Sequence, residues 1–215
     1  MQAVIIGATG ATGQKLVQQL LDNPDYSQVT VFVRRAMSLQ HPKLTVEMID
    51  FDQPQTWQGK VRGDVLFSCL GTTLKAAGSK AAQWKIDYQY QYDVAKIARQ
   101  NGVSRCVLVS SGYADSRSRF FYTQMKGQLE QDITQLGFPQ LLIFRPPSLI
   151  RPNTDRAGEC WTISVLNALN KIGLLQSMKP MPTAVLASAL IQAVKQKPLG
   201  TFIFESAEIW ALAES

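Results

Sequence analysis

Short apolar runs alternate with helix-like periodic segments along most of the chain. The strand candidates are residues 4–6, 29–33, 44–49, 65–69, 105–110 and 141–144. Their continuous Val, Ile and Leu character is typical of strands that are buried on both faces, as in a parallel sheet covered by helices. The helix candidates between them are residues 13–21, about 81–100 and about 120–136. This alternation predicts an α/β fold built on a doubly wound parallel sheet.

The regular alternation of strand and helix candidates ends at Pro146 and Pro147. Helix candidates at residues 161–171 and about 184–195 flank a Gly/Pro-rich turn zone at 173–182, and a strand candidate at 201–204 precedes the tail. The last part of the chain is too short to fold as an independent domain. We therefore expect a single domain, residues 1–215, in which about residues 147–182 form a small C-terminal cap.

Composition excludes several classes of protein. The chain has 215 residues, of which 46% are hydrophobic and 18% charged, enough for one sizeable core. No stretch approaches the roughly 18 apolar residues of a membrane span, and the N-terminus does not resemble a signal peptide. The three cysteines, Cys69, Cys106 and Cys160, are far apart and indicate a reduced, cytoplasmic protein. The single histidine, His41, excludes a multi-histidine metal site, and we expect no metal.

Three glycines follow the first strand candidate at G-x-x-G-x-x-G spacing. Gly7 allows a tight turn, Gly10 lets the backbone approach a pyrophosphate, and Gly13 lets the helix pack against the sheet. The free N–H groups and the positive dipole end of this helix would then face the phosphates. The sequence therefore predicts a bound dinucleotide. The remaining loop residues expected to contact it are Thr9, Ala11 and Thr12.

The end of the second strand candidate favours NADP(H) over NAD(H). A cofactor with a free ribose 2′-hydroxyl usually meets an Asp or Glu at this position. Here the strand is followed by Arg34 and Arg35. A guanidinium can bind a 2′-phosphate in bidentate fashion, through two parallel hydrogen bonds. We expect NADP(H), with NAD(H) as the weaker alternative.

The net charge is +6, and eight of the 22 basic residues lie at or beyond strand ends, so much of the surplus positive charge is expected where an anionic cofactor would bind. No basic helix or nucleic-acid motif accompanies them, so nucleic acid is not expected as a partner. The basic residues at these positions are Arg34, Arg35, Lys75, Lys80, Arg117, Arg119, Arg145 and Arg151.

Tyr122 and Lys126 form a Y-x-x-x-K pair that shares one helix face. A phenol is a poor base at neutral pH, but a nearby cation favours the phenolate and makes the tyrosine usable as a general acid or base. A second pair, Tyr92 and Lys96, lies before the fifth strand candidate instead of after it, and we interpret it as structural. Ser111 lies at the end of that strand, where ligands of such sheets bind.

These motifs together resemble the short-chain dehydrogenase/reductase superfamily. More narrowly, they resemble the atypical group typified by the Tat-interacting oxidoreductase-like proteins. The segments that carry this resemblance are Cys69-Leu70-Gly71-Thr72-Thr73, Val109-Ser110-Ser111, Phe121-Tyr122…Lys126-Gly127 and Phe144-Arg145-Pro146.

The resemblance implies a Rossmann fold, NADP(H) as cofactor, and Ser111, Tyr122 and Lys126 as the catalytic set, with Lys126 also contacting the nicotinamide ribose. It further implies cofactor contacts along the later strand ends. Asp50 and Phe51 would flank the adenine, Leu70, Gly71 and Thr72 would lie along the cofactor, and the segment from Pro146 would border the nicotinamide.

The sequence departs from the superfamily in two places. The Asn-rich motif that usually follows the fourth strand is replaced by Cys69-Leu70-Gly71-Thr72. The helix before the fifth strand has no asparagine until Asn101, at its end, so the relay asparagine of classical members has no obvious counterpart. Asp87 either takes a positional role here or is an exposed or salt-bridged residue.

Three functions follow as hypotheses. The first is an NADP(H)-dependent oxidoreductase that acts on a small carbonyl or alcohol substrate beneath the substrate-side cap, with Trp161 as a candidate substrate contact. The second is an NADP(H)-sensing regulator that binds a protein partner without turnover. The third is a nucleotide-sugar epimerase or dehydratase, for which the segment after Ile150 looks too small. The chain is expected to be a monomer or a homodimer.

Overall fold

Seven parallel strands form the central sheet of the computed structural model, which describes residues 1–150 and 180–215. The sheet order is β3-β2-β1-β4-β5-β6-β9, and every neighbouring pair is parallel. A separate parallel pair joins β7 to β8. This arrangement confirms the doubly wound α/β sheet. The strands are β1 (Gln2–Ile6), β2 (Gln28–Val33), β3 (Leu44–Met48), β4 (Val65–Ser68), β5 (Arg105–Val109), β6 (Gln140–Phe144), β7 (Leu149–Ile150), β8 (Met181–Pro182) and β9 (Gly200–Phe204).

Helices cover both faces of the sheet. They are α1 (Ala11–Asp22), α2 (Leu74–Ala77), α3 (Lys80–Trp84), α4 (Tyr90–Gln100), α5 (Phe121–Gln135), α6 (Thr183–Gln196) and α7 (Ser206–Glu214). Alternate residues of β1 point to opposite faces, so Ala3 and Ile5 join one core with α1, α6 and α7. Val4 and Ile6 join the other core with α4 and α5. Both faces are buried along the inner strands β1, β4 and β6, which explains why these strands are apolar, whereas the edge strands β3 and β9 are partly exposed.

The helix predicted over residues 81–100 is interrupted. Lys85–Gln89 forms a π-helical turn between α3 and α4. The main-chain oxygen of Asp87 accepts a hydrogen bond from Gln91 Nε2 at 2.6 Å. A side chain that bonds to a main-chain carbonyl in this way is one of the causes of a local break in the α-helical ladder. The periodicity of the apolar residues alone does not reveal such a break.

The C-terminal elements belong to the main core. The predicted helix and strand at 184–195 and 201–204 are confirmed as α6 and β9, and β9 extends the sheet beside β6. Helix α7 was not predicted; its start is fixed by a capping box in which the Glu205 N–H donates to Glu208 Oε2 at 2.8 Å. Among the described residues, no helix is long and apolar enough to cross a membrane.

Most of the predicted cap lies outside the described residues. This applies to the helix candidate at 161–171, to Trp161, Cys160 and Arg151, and to most of the turn zone. At its two ends, β7 pairs with β8 in parallel, with Leu149 opposite Met181. The division into one domain with a cap at about 147–182 stays a prediction.

Candidate functional site

The loop between β1 and α1 depends on two closely packed glycines. Gly7 has a φ of +81°, and a Cβ there would lie 2.6 Å from the Leu70 main-chain nitrogen. A Cβ at Gly13 would lie 2.8 Å from the Gly7 carbonyl carbon and closer still to its oxygen. Side chains at either position would collide with main chain. These glycines therefore bring β1, α1 and the end of β4 together.

Gly10 has a different environment from its two neighbours. It is exposed and is the N-cap of α1, and its carbonyl accepts the first helical hydrogen bond, from Gln14 N, at 2.9 Å. Glycine has no side chain with which to cap the free N–H groups of the first turn, which includes Ala11 and the buried Thr12. Such a helix start is suited to binding an anion.

A cavity of about 370 Å³ opens beside the turn that joins β1 to this helix start. Gly7, Thr9 and Leu70 line one part of it, and the exposed Arg34 and Arg35 line another. Its size lies within the range of roughly 300–1,000 Å³ that is common for ligand sites. The glycine loop and both arginines therefore share one cleft that fits a phosphorylated dinucleotide.

The segment after β3 supplies an aromatic wall to this cavity. Phe51 is buried, lines the cavity and stacks on Tyr90 with ring centroids 5.0 Å apart. Its neighbour Asp50 is placed differently, since its carboxylate accepts hydrogen bonds from Asp52 N at 2.9 Å and Gln53 Nε2 at 3.1 Å. Phe51 thus faces the cleft, whereas the Asp50 carboxylate stabilises its own turn.

The loop after β4 continues the floor of the cleft. Leu70 lines the cavity, Gly71 is exposed, and Thr72 is half-buried. The Thr72 N–H donates to Asp87 Oδ1 at 2.7 Å. This hydrogen bond anchors the loop to the π-helical turn.

A second cavity, of about 280 Å³, lies at the ends of β5 and β6. Ser111 and Tyr122 both line it, although one follows β5 and the other lies in the first turn of α5. Tyr122 is 38% exposed, and the half-buried Ser111 donates its hydroxyl to Gly112 O at 3.2 Å. Pro146 forms part of the wall, and its carbonyl accepts from Gly112 N at 3.1 Å. The structure therefore brings the predicted serine and tyrosine to one cavity.

The loop that carries Ser111 packs tightly on α5. A Cβ at Gly127 would lie 2.7 Å from Asp115 Cα, so glycine permits this close approach. The Asp115 N–H donates to the Thr123 carbonyl at 3.0 Å. These contacts fix the loop beside the first turn of α5, where Tyr122 lies.

Lys126 lies in the protein interior, where it is 2% exposed, and it is not among the residues that line the second cavity. Burial raises the pKa of the Cys69 thiol to about 12, and the positive charge of Lys126 opposes that shift. The same charge acts on Asp87. Lys126 therefore lies in the protein interior and not in the wall of the cavity that holds Ser111 and Tyr122.

Arg145 does not supply a free charge at the cleft, contrary to the prediction that placed it on the basic rim. Its guanidinium binds Glu130 at 2.6 Å and Glu205 at 3.1 Å, and these hydrogen bonds raise its pKa. Buried Glu130 also accepts from the Ser110 hydroxyl. This cluster, which the sequence reasoning missed, links the ends of β5 and β6 to α5 and α7. An acidic residue on the buried face of α5 was the available signal.

Tyr92, Lys96 and the single histidine, His41, lie outside the candidate site. Tyr92 stacks on Tyr88 with centroids 6.1 Å apart, while Lys96 is exposed on α4. His41 lies in the loop before β3, where its Nδ1 accepts from the Lys43 N–H at 3.1 Å. Neither Tyr92 nor His41 lines the two cavities described above.

The chain is similar to curated proteins along much of its length. A family model described as NAD(P)H-binding matches residues 7–154. The Meyerozyma guilliermondii protein named "Protein FMP52, mitochondrial" is 39% identical over 154 residues, which cover 70% of this chain and 66% of that protein. The Eremothecium gossypii protein of the same name is 32% identical over 221 residues, which cover 100% of this chain and 98% of that protein.

Solved structures share the fold at low sequence identity. UDP-glucose 4-epimerase from Thermotoga maritima aligns with a TM-score of 0.71 at 13% identity, over 100% of this chain and 82% of that one. An oxidoreductase from Lactococcus lactis aligns with a TM-score of 0.67 at 17% identity, over 100% of this chain and 95% of that one. The Rossmann fold predicted from the resemblance is confirmed.

The names of the relatives contradict one prediction. They place the FMP52 proteins in mitochondria, and the cytoplasmic location inferred for this chain was wrong. The inference failed because unpaired cysteines indicate a reducing environment without specifying the compartment. The matches over most of the chain and the sheet topology lead to one conclusion: the chain belongs to the NAD(P)H-binding family that includes the FMP52 proteins, and it has the Rossmann fold of short-chain dehydrogenases/reductases and epimerases.

Proposed function

We propose that the chain is an NADP(H)-dependent oxidoreductase that interconverts a small carbonyl compound and its alcohol. The observation that supports this most strongly is the meeting of Ser111 and Tyr122 in one cavity at the carboxyl ends of β5 and β6. Ligands of open α/β sheets bind at this edge. The glycine loop and its cleft lie at the same edge, after β1 and β2.

The cofactor would be held by main-chain amides and two arginines. The first turn of α1, from Ala11 to Gly13, would donate to the pyrophosphate. Arg34 and Arg35 would bind the 2′-phosphate, which is the basis for proposing NADP(H) over NAD(H). When bound, the nicotinamide supplies or accepts the hydride.

The chain's own residues would handle the matching proton. Tyr122 would give its hydroxyl proton to the carbonyl oxygen during reduction and take it back during alcohol oxidation. Ser111 would donate a hydrogen bond to the same oxygen and orient it. The Lys126 ammonium, four residues after Tyr122 on α5, would favour the phenolate form of the tyrosine.

The test measures binding and turnover separately. Calorimetric titration with NADPH and NADH gives both affinities, and cofactor consumption is then followed across a panel of aldehydes and ketones. We expect saturable binding, tighter for NADPH, and consumption with at least one class of carbonyl compound. Binding without consumption across the panel would contradict the enzyme and favour the NADP(H)-sensing regulator. A co-purified sugar nucleotide would instead favour an epimerase or dehydratase.

A further inference from the structure

The cavity at the ends of β5 and β6 has a polar part and an apolar part. The hydroxyls of Ser111 and Tyr122 belong to the polar part, and the Ser110 hydroxyl is already bound to Glu130. None of the described residues that line this cavity is charged at neutral pH. A ligand that placed a charged group here would lose water without gaining an opposite charge. The lining residues with largely apolar side chains are Tyr113, Pro146, Pro147 and Leu149.

Tyr113 has a main-chain conformation that is rare for its residue type. Its φ is +65°, and no other non-glycine residue within the described ranges 1–150 and 180–215 has a positive φ. The Ala114 N–H donates to the Ser111 carbonyl at 3.2 Å, so residues 111–114 form a four-residue turn with Tyr113 as its third residue. A positive φ at this position of a turn favours glycine or asparagine. A bulky residue there costs free energy, and such strain is concentrated at functional sites.

Contacts on both sides of the turn hold Tyr113 in this conformation. On one side, the Gly112 N–H donates to the Pro146 carbonyl at 3.1 Å. On the other side, Ala114 is buried, and the Asp115 N–H donates to a main-chain carbonyl of α5 at 3.0 Å. The turn is therefore anchored both to the segment after β6 and to the first turn of α5.

The Tyr113 side chain contributes little to the core. It is 76% exposed, yet it lines the cavity that Ser111 and Tyr122 share. Within the part of the chain that the structure describes, its ring contacts no other aromatic ring and its hydroxyl has no hydrogen-bond partner. The described core thus gains little stability from this ring, whereas a molecule in the cavity would lie within its reach.

We propose that Tyr113 determines substrate specificity and that the substrate is an uncharged aldehyde or ketone with a flat, unsaturated substituent that packs on the Tyr113 ring. This inference rests on the proposed function, which places the carbonyl oxygen at Ser111 and Tyr122. Aromatic rings pack favourably on one another in offset-stacked or edge-to-face arrangements. The uncharged lining disfavours an aldehyde that carries a carboxylate or a phosphate. Tyr113 takes part in binding alone and exchanges no atom with the substrate.

Three aldehydes of similar length test the shape and the charge of the substituent separately. 4-Methylbenzaldehyde is flat and uncharged, 4-methylcyclohexanecarbaldehyde is uncharged but not flat, and 4-carboxybenzaldehyde is flat but charged. The 215-residue chain is measured for Tm, for kcat and KM with NADPH and each aldehyde, and for the Kd of 4-methylbenzamide in the presence of NADP⁺. This amide is an unreactive analogue of the first aldehyde, so its Kd reports binding without turnover.

Three variants at one position separate the ring from the strained backbone. Tyr113→Leu removes the ring, Tyr113→Phe keeps it, and Tyr113→Gly removes both the ring and the backbone strain. Phe120→Leu is the matched control, because Phe120 lies just before α5 and is 78% exposed but does not line the cavity.

We expect the parent to reduce 4-methylbenzaldehyde with a kcat/KM at least about tenfold above that of either other aldehyde. Tyr113→Leu should lower this value at least about fivefold, mainly through KM, and change the value for 4-methylcyclohexanecarbaldehyde by less than about twofold. The Kd of 4-methylbenzamide should rise at least about fivefold. Tyr113→Phe and Phe120→Leu should match the parent. Tyr113→Gly should lose the preference but unfold at the parent's Tm or above it, because glycine adopts a positive φ without strain.

Equal losses for the flat and the non-flat aldehyde in Tyr113→Leu would overturn the inference, as would a parent that prefers either of the other two aldehydes. A lower Tm for Tyr113→Gly would show that the ring serves the fold and would overturn it as well. If Tyr113→Leu does not fold, Tyr113→Gly takes its place in each comparison.

A parent that reduces no aldehyde or ketone would contradict the proposed function, and the Kd of 4-methylbenzamide then decides this inference alone. A Kd at least about fivefold higher in Tyr113→Leu than in Phe120→Leu would support the role of the ring. Equal Kd values in these two variants, or no binding to the parent, would overturn it.

Discussion

The glycine loop offers two single-methyl substitutions that should differ in their effect on stability. A Cβ at Gly13 would lie 2.8 Å from the Gly7 carbonyl carbon and 2.9 Å from Ala8 Cα, in a buried contact between α1 and the turn after β1. A Cβ at Gly10 would meet only the Gly7 oxygen, at 3.2 Å, on the exposed start of α1. Gly13→Ala therefore disturbs packing, whereas Gly10→Ala adds a methyl group where the phosphates are expected.

The magnitudes follow from these contacts. Gly13→Ala forces main-chain atoms apart, and such overpacking costs about 1–3 kcal/mol. For a chain of this size, that cost lowers Tm by roughly 2–12 °C. Gly10→Ala costs about 0.5–1 kcal/mol at an N-cap, partly offset by the lower entropy of the unfolded chain. We expect its Kd for NADPH to rise at least about tenfold, because the methyl group keeps the phosphate from the first-turn amides.

Calorimetry tests both parts with the same samples. Thermal unfolding gives Tm, and titration with NADPH gives Kd, for the parent and the two variants. Gly10→Ala should be nearly as stable as the parent but bind poorly, and Gly13→Ala should lose both stability and affinity. Parent-like affinity in a folded Gly10→Ala variant would refute phosphate binding at the start of α1. A Gly13→Ala variant as stable as the parent would refute the close approach of α1 to β1.

Three further predictions concern charge. The double variant Arg34→Ala/Arg35→Ala should bind NADPH at least about tenfold more weakly than the parent in calorimetric titration, and NADH less than about threefold more weakly. The difference is expected because only NADPH carries the 2′-phosphate. Equal losses for the two cofactors would contradict that role of the arginines. Glu130→Gln removes the buried carboxylate that binds Arg145 and leaves its guanidinium paired with Glu205 alone, so the free energy of unfolding measured in urea should fall by about 1.5–3 kcal/mol. A fall below about 1 kcal/mol would show that the Glu130 ion pair contributes little. Asp52 binds Lys85 at 2.7 Å, which holds the pKa of the Asp52 carboxyl below its usual 3.8. The resulting stabilisation is present above pH 3.8 and is lost as the pH falls through the lower folded-state pKa. The Tm values of the parent and Asp52→Asn should therefore differ at neutral pH and converge in acid. A Tm difference that stays constant with pH would contradict this role of the ion pair.

The sheet could be predicted because strands that are buried on both faces are apolar along most of their length. Residues 29–33 and 141–144 are almost continuously apolar, and both lie inside strands with helices on each face. Strand burial on two faces leaves a signal that short-range reading can detect. Strands β7 and β8 leave no such signal, because each has two residues and exists only through its pairing with the other.

Helix α4 shows the limit of periodicity. Its apolar face continues the pattern of α3, so the periodicity predicts one helix over residues 81–100. The π-helical turn between them involves hydrogen bonds of Asp87 with Gln91 and Thr72, which periodicity does not reveal. Buried polar residues at Gln83, Asp87 and Gln91 were the sequence signal, since they recur every four residues on a face that should be apolar.

The site was predictable as far as local motifs reach. The glycine loop and the Tyr122–Lys126 pair are short-range patterns, and the structure places Ser111 with Tyr122 in one cavity. The ion pairs of Arg145 join residues that are 15 and 60 positions apart, and single-sequence reading cannot detect such partners. An arginine assigned to the cofactor rim from its position alone is therefore neutralised by carboxylates of α5 and the start of α7.

The central claim, that Tyr122 transfers the proton, is tested most directly by the kcat of Tyr122→Phe with NADPH and the carbonyl compound that the parent reduces. Tyr92→Phe is the matched control, because Tyr92 stacks on Tyr88 and lines neither cavity described above. We predict that kcat of Tyr122→Phe falls by roughly 10²–10⁴-fold while its Kd for NADPH stays within about threefold of the parent, and that Tyr92→Phe turns over at the parent rate. A Tyr122→Phe variant with the parent's kcat would contradict the account.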